Sequence, residues 1–217
     1  MEETHRILNR VGIALCVVGV IDAIVFIYCA RNNIDYSSSF NLFAVIAGLF
    51  LIKGSIRVAH IVTLFSAFLL AAFVGLLIVF PLMQPIELQL INLKLNPVSR
   101  QISIVFMLFA ISFIYWVYRQ LSSEPVMLAR KKAGLSYGFP KQAVVLGIIL
   151  VVGLSFAMNN LSSSDSAHLA KIKASEIYGN AYAYHVTHIN NSGGYVLARL
   201  TAYNEHEIRS VEVEWHE

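Results

Sequence analysis

Ser38–Ile52 reads SSFNLFAVIAGLFLI, and the basic turn Lys53-Gly54-Ser55-Ile56-Arg57 follows it directly. Whether this run crosses a bilayer decides the side on which everything after Arg57 lies. As a helix at 1.5 Å per residue it reaches only about 22 Å. A hydrocarbon core of about 30 Å calls for roughly 20 apolar residues. The run can still cross by thinning the bilayer locally or by packing among other helices, and Ser37-Ser38-Ser39 offers caps at its start. A re-entrant segment is the competing reading. The short turn after Ile52 predicts a tight hairpin with the helix that follows.

Four further apolar runs cover Val11–Ala30, Val58–Leu82, Ile102–Val117 and Ala143–Met158. With Ser38–Ile52 they predict a polytopic α-helical membrane protein of five transmembrane helices within residues 1–158. Charge placement favours that count, because Lys and Arg accumulate on the cytosolic flanks of membrane helices. With the N-terminus inside, five crossings put Arg6, Arg10, Lys53, Arg57, Arg119, Arg130, Lys131, Lys132 and Lys141 on the inner side. Only Arg31, Lys94 and Arg100 fall in the outer loops. If Ser38–Ile52 did not cross, Lys53 and Arg57 would face outward and the bias would weaken. The expected protein is therefore multi-pass, of the bacterial inner-membrane kind, with a cytoplasmic N-terminus and an extracytoplasmic tail. Arg6 and Arg10 precede the first run as in a secretory signal. Tyr28 stands where cleavage needs a small residue, so an uncleaved anchor is expected.

Composition agrees with a bilayer partner. Hydrophobic residues make up 57% and charged residues 13%, against about a quarter charged in soluble proteins. The net charge of +3 is too small to argue for nucleic acid. Cys16 and Cys29 would lie about 20 Å apart along one helix, beyond disulfide reach.

Loops and packing stripes carry further expectations. Pro81 and Pro85 are expected to end the third helix. Ile86–Leu95, held before Asn96-Pro97, reads either as an interfacial helix or as a short strand. Its apolar residues need cover from the membrane interface or from the tail. Arg130-Lys131-Lys132 reads as a solvated basic cluster touching anionic lipid, and Tyr115, Trp116 and Tyr118 as an aromatic belt. Gly12, Cys16, Gly19 and Ala23 form a small-residue stripe on the first helix, and Ala67, Ala71 and Gly75 form another on the third. Such stripes let backbones approach closely in lipid.

Residues 159–217 predict an extracytoplasmic α+β domain. Ser162–Ser166 reads as a flexible lead-in, and a helix follows from Ala167 to Tyr178 with Gly179 as its stop. Tyr182–Ile189, Tyr195–Tyr203 and Ile208–Trp215 read as strands of a three-stranded antiparallel meander, turning at Asn191–Gly194. Alternation places Val211, Val213 and Trp215 inside and Glu212 and Glu214 in water.

Asp22, near the middle of the first helix, is the sharpest chemical candidate, since a carboxylate in the membrane is costly unless paired, protonated or wetted. Ser66 and Ser112 lie at comparable depth and could hydrogen-bond it, whereas His60 lies roughly 13 Å away in depth. The bland role is interhelical glue, and the sharper one is proton or ion handling. His185 and His188, three apart on a strand, are expected to point to opposite faces, so no metal site is expected, and no cofactor motif is present. No Gly-x-Ser-x-Gly elbow or phosphate-cradling loop occurs. The reading that results is a non-enzymatic accessory, assembly or sensing factor that offers its tail to a protein partner. The alternative is a small transporter built around Asp22.

Overall fold

The computed structural model describes residues 2–32 and 41–216. Among these residues, four helices are long and apolar enough to cross a membrane: Glu2–Arg31, Ile56–Met83, Arg100–Leu121 and Lys141–Ser163. In chain order the helices are α1 (Glu2–Arg31), α2 (Asn41–Ile52), α3 (Ile56–Met83), α4 (Ile86–Leu95), α5 (Pro97–Leu121), α6 (Glu124–Lys132), α7 (Lys141–Ser163) and α8 (Asp165–Tyr178). Three strands follow: β1 (Ala183–Ser192), β2 (Tyr195–Tyr203) and β3 (Ile208–His216). Many large apolar side chains of the long helices, such as Ile24, Ile61, Phe106 and Phe156, are exposed on the protein surface. A surface of this kind suits lipid rather than water. The expected fifth span is described only from Asn41, and α2 has 12 residues, too few to cross by length. Ser37-Ser38-Ser39 and the start of that run lie outside the described residues.

The chain forms two compact units, Met1–Ala71 with Ala110–Leu146, and Ala72–Phe109 with Gly147–Glu217. In the first, the close helix pair is α1 with α2, not the expected hairpin of α2 with α3. Small residues are the cause. A Cβ added at Gly12 would lie 2.6 Å from the Gly48 carbonyl oxygen and 2.8 Å from Ile52 Cγ1, so only glycine admits this approach. The Cys16 thiol donates to the Val45 carbonyl at 3.6 Å, one turn further along both helices. Gly12 therefore opposes Gly48 and Ile52, while Cys16 opposes Val45, so α2 runs antiparallel to α1. Leu8 and Val11 of α1 join Leu51, Ala59, Val117, Leu121 and Val126 in one buried cluster. The end of α2 has thus returned to the level at which α1 begins its apolar stretch.

In the second unit, α3 runs through Pro81 and ends at Met83. Pro81 stands in the last turn and has no N–H, so the Leu77 carbonyl four residues back lacks its helical partner there. Gln89 Nε2 then donates to the carbonyls of Pro81 and Gln84, which fixes the corner into α4. Ile86–Leu95 is a helix, resolving the open choice. At Gly75 an added Cβ would lie 3.0 Å from a Val151 methyl, so the α3 stripe serves packing against α7.

α7 continues to Ser163, so the expected lead-in at Ser162–Ser166 is replaced by a one-residue joint. Ser164 caps α8, its Oγ accepting from Ala167 N at 3.2 Å. Ala167, Ala170 and Ala174 lie on one side of α8, and their small side chains let the helix settle on the sheet. The sheet has order β1-β2-β3 with both pairings antiparallel. Val186 of β1, Val196, Ala198, Leu200 and Ala202 of β2, and Val211, Val213 and Trp215 of β3 face α8 and form the core. Glu212 and Glu214 are exposed, as the alternation requires. Gly193 and Gly194 turn β1 into β2 at φ of 63° and 83°, a backbone that glycine adopts without strain.

Candidate functional site

The least expected side chain is Arg130. In α6 (EPVMLARKK) Val126 and Arg130 are four apart and share one helix face, and both are buried. Arg130 is 2% exposed. Its Nη1 donates to Thr63 Oγ1 at 3.1 Å, while Nε and Nη2 both donate to the Ser136 carbonyl at 3.1 and 2.7 Å. The Thr63 hydroxyl donates in turn to the Ala59 carbonyl at 2.7 Å, leaving its lone pairs free to accept from arginine. Local sequence brings Ser136 round. Gly134 takes φ of 71° just past α6, and Leu135 N donates back to the Arg130 carbonyl at 3.0 Å, closing the helix as a left-handed cap does.

No carboxylate lies within ion-pair distance of this guanidinium among the described residues. Burial pushes its pKa down, and the neighbouring Tyr118 partly opposes that, but arginine remains charged in proteins. His60, on α3 next to this site, buries its Nδ1 without a hydrogen-bond partner among the described residues. The arrangement is a latch holding α6 and the loop behind it against α3. The expected solvated basic cluster is therefore split: Arg130 turns inward, while Lys131 and Lys132 are exposed and Lys131 lies over the Tyr137 ring at 5.2 Å.

The candidates read from sequence fall in different environments. Asp22 on α1 is half-buried, Ser66 on α3 is buried, and Ser112 on α5 is exposed. Among the described residues, no hydrogen bond links Asp22 to Ser66 or Ser112. The small stripe through Gly12 and Cys16 does bring helices together, as described above.

In the tail, a β-bulge changes the histidine geometry. Register shifts between Val186 and His188, so that His185 pairs with Thr201 and His188 with Arg199. Thr201 and Arg199 are two apart on β2 and share a face. His185 and His188 therefore share the face away from α8, contrary to the expectation of opposite faces. The extra residue, Thr187, is absorbed by the bulge and its hydroxyl donates to the Arg199 carbonyl at 3.0 Å. No group of three His, Cys, Asp or Glu side chains suited to a metal occurs among the described residues.

That outer face is unevenly covered. Tyr203 and His185 are buried at one end. At the other, Tyr195 is 53% and Leu197 37% exposed. Tyr195 packs its ring edge-on to His216 at 4.6 Å. Arg199 pairs with Glu212 at 2.6 Å with both side chains in water, a contact worth at most about 1 kcal/mol. The behaviour of His185 follows from its burial, which with the charge of Lys171 holds its pKa below the ordinary value. Compared with protein-family models, with curated proteins and with solved structures, the chain matches none.

Proposed function

We propose that this is a five-pass membrane protein that presents its C-terminal α+β module, outside the cytoplasm, to a protein partner as an assembly, accessory or sensing factor. The observation that carries the reading is the asymmetry of the module. Its core is complete on the α8 side, yet its outer face exposes Tyr195 and Leu197 beside Arg199, Glu212 and Glu214. Aromatic and apolar anchors ringed by charge are the makings of a small interface. Five passes are supported by the antiparallel α1–α2 pair. α1 carries the chain about 30 Å from Val11 to Arg31, and Leu51 lies back beside Leu8 and Val11, a return that a second crossing ending in α2 would account for. The excess of Lys and Arg on the side of the N-terminus favours a cytoplasmic N-terminus.

Two experiments test this. A reporter active only outside the cytosol should work when fused after Glu217 and stay silent within Arg119–Lys141; the reverse pattern overturns the orientation. Gentle detergent extraction of the tagged protein should recover a stoichiometric partner. Tyr195→Ala with Leu197→Ala should lose it while the module still folds. Retention of the partner by that variant overturns the assigned face.

A further inference from the structure

α4 is tied at both ends to helices long enough to cross a membrane. Only Gln84-Pro85 separates it from α3, and only Asn96 from α5. A residue spans at most about 3.6 Å, so joints this short hold α4 at the level where α3 ends and α5 begins.

The faces of α4 have different surroundings. Ile86, Leu90 and Leu93, spaced by four and three, share one side of the helix, and they are between 48% and 73% exposed. Leu88 lies on the opposite side and is buried. Glu87 and Lys94, seven apart, share an exposed flank next to the apolar arc. Beyond that flank, Glu87 and Ile91 line a hollow whose other wall is Tyr182, Tyr203 and Asn204 of the tail. Burial, and then the charge of Glu87, push the Tyr203 phenol above its ordinary pKa. The tail thus meets α4 from the side and leaves Ile86, Leu90 and Leu93 uncovered.

That arc continues along the chain in both directions. Ile78 and Leu82 of α3 precede it and Val98 and Ile102 of α5 follow it, all exposed. Single apolar residues on a surface need no partner, but a run of them marks an interaction. Here the run belongs to two bilayer-length helices and the short helix between them, so the cover that suits the spans also suits α4. An apolar arc beside a charged flank is the pattern of a helix lying in the plane of the membrane interface. A lysine on that flank can keep its stem on the apolar side and its ammonium at the phosphates.

We infer that α4 lies in the membrane interface, with Ile86, Leu90 and Leu93 among phospholipid acyl chains, Lys94 at the phosphates, and Ile91 and Glu87 toward the tail. The tail module is therefore held at the bilayer by the helix beside it. This deepens the partner reading above and rests on it for its consequence. Tyr203 stands at the α4 end of β2, and Tyr195 about 26 Å away along the strand. One end of the outer face is turned to α4, and the Tyr195 and Leu197 end is left for a partner that meets the module at the membrane surface.

The test places single cysteines in the full chain, with Cys16 and Cys29 replaced by serine, labels them with bimane and reconstitutes the protein in phosphatidylcholine nanodiscs. Doxyl lipid carrying its nitroxide near the headgroup quenches a probe in the interface, and iodide quenches one in water. Leu90→Cys and Leu93→Cys should each be quenched by doxyl lipid about threefold more than Glu214→Cys, and by iodide about threefold less, as for side chains about 5–10 Å inside the boundary. The two positions report separately, so a variant that fails to fold leaves the other to decide. Iodide access at Leu90→Cys and Leu93→Cys equal to that at Glu214→Cys overturns the inference. Protection from both quenchers also overturns it, and a disulfide between two copies of the Leu90→Cys protein would then assign the arc to a second copy. The readout needs no partner, so its failure is distinct from failure of the Tyr195 and Leu197 face.

Discussion

Replacing Arg130 is the sharpest test of the latch. Arg130→Ala removes the donor to Thr63 and both donors to the Ser136 carbonyl. Thr63 keeps its bond to Ala59, so the group left stranded is chiefly the Ser136 carbonyl. An orphaned buried acceptor costs about 1–3 kcal/mol. The lost γ and δ methylenes add about 1.6 kcal/mol at ~0.8 kcal/mol each. Relief of a buried charge works the other way. Arg130→Met keeps the stem and loses the charge, so it isolates the polar contribution and should lie about 2 kcal/mol above Arg130→Ala in stability. Arg130→Lys keeps the charge without the planar fork and should fall short of wild type. Reversible unfolding in mixed micelles measures the ranking. Maleimide labelling of Leu135→Cys in a background with Cys16 and Cys29 replaced by serine reports whether the loop opens. Equal stability of the alanine variant and wild type, with Leu135→Cys still protected, would falsify the latch.

Other perturbations probe other links. Gly12→Leu or Gly48→Leu should separate α1 from α2 and cost about 2 kcal/mol or more by overpacking. Gly153→Ala, where an added Cβ meets nothing within 4 Å, should gain up to about 1 kcal/mol; equal effects on unfolding in micelles would remove the close-approach argument. The depressed pKa of His185 means that its contribution to stability is present above about pH 6.5 and is lost as pH falls from there toward its folded value. Trp215 fluorescence melts in a Trp116→Phe background should therefore drop between pH 7.5 and 5.5, and His185→Gln should flatten that drop. An unchanged drop would exonerate His185. Asp22→Asn should keep stability within about 1 kcal/mol if the carboxyl serves as interhelical glue, with Asp22→Ala less stable than Asp22→Asn in the same micelle assay. Equal stability of the two variants would leave Asp22 without a hydrogen-bonding role in the fold.

Runs of apolar residues and strict alternation are local signals, and the sequence by itself therefore determined the long helices, the order of helix and meander in the tail, and the strand faces. Val211 and Trp215 against Glu212 and Glu214 could be assigned without coordinates because a strand has a period of two and water takes one face. What depended on residues far apart in the chain was decided only by tertiary structure. Arg130 looked like one of three equivalent basic residues, since nothing local distinguishes a charge that meets Thr63 from one that meets water; only its i,i+4 relation to Val126 hinted at the buried face. The stripe through Gly12 and Cys16 announced close packing but not its partner, because Gly48 lies beyond a loop and any smooth helix could have filled the role. His185 and His188 were put on opposite faces by counting residues, and a single bulge at Thr187 reversed that, since register is a property of the pairing rather than of one strand.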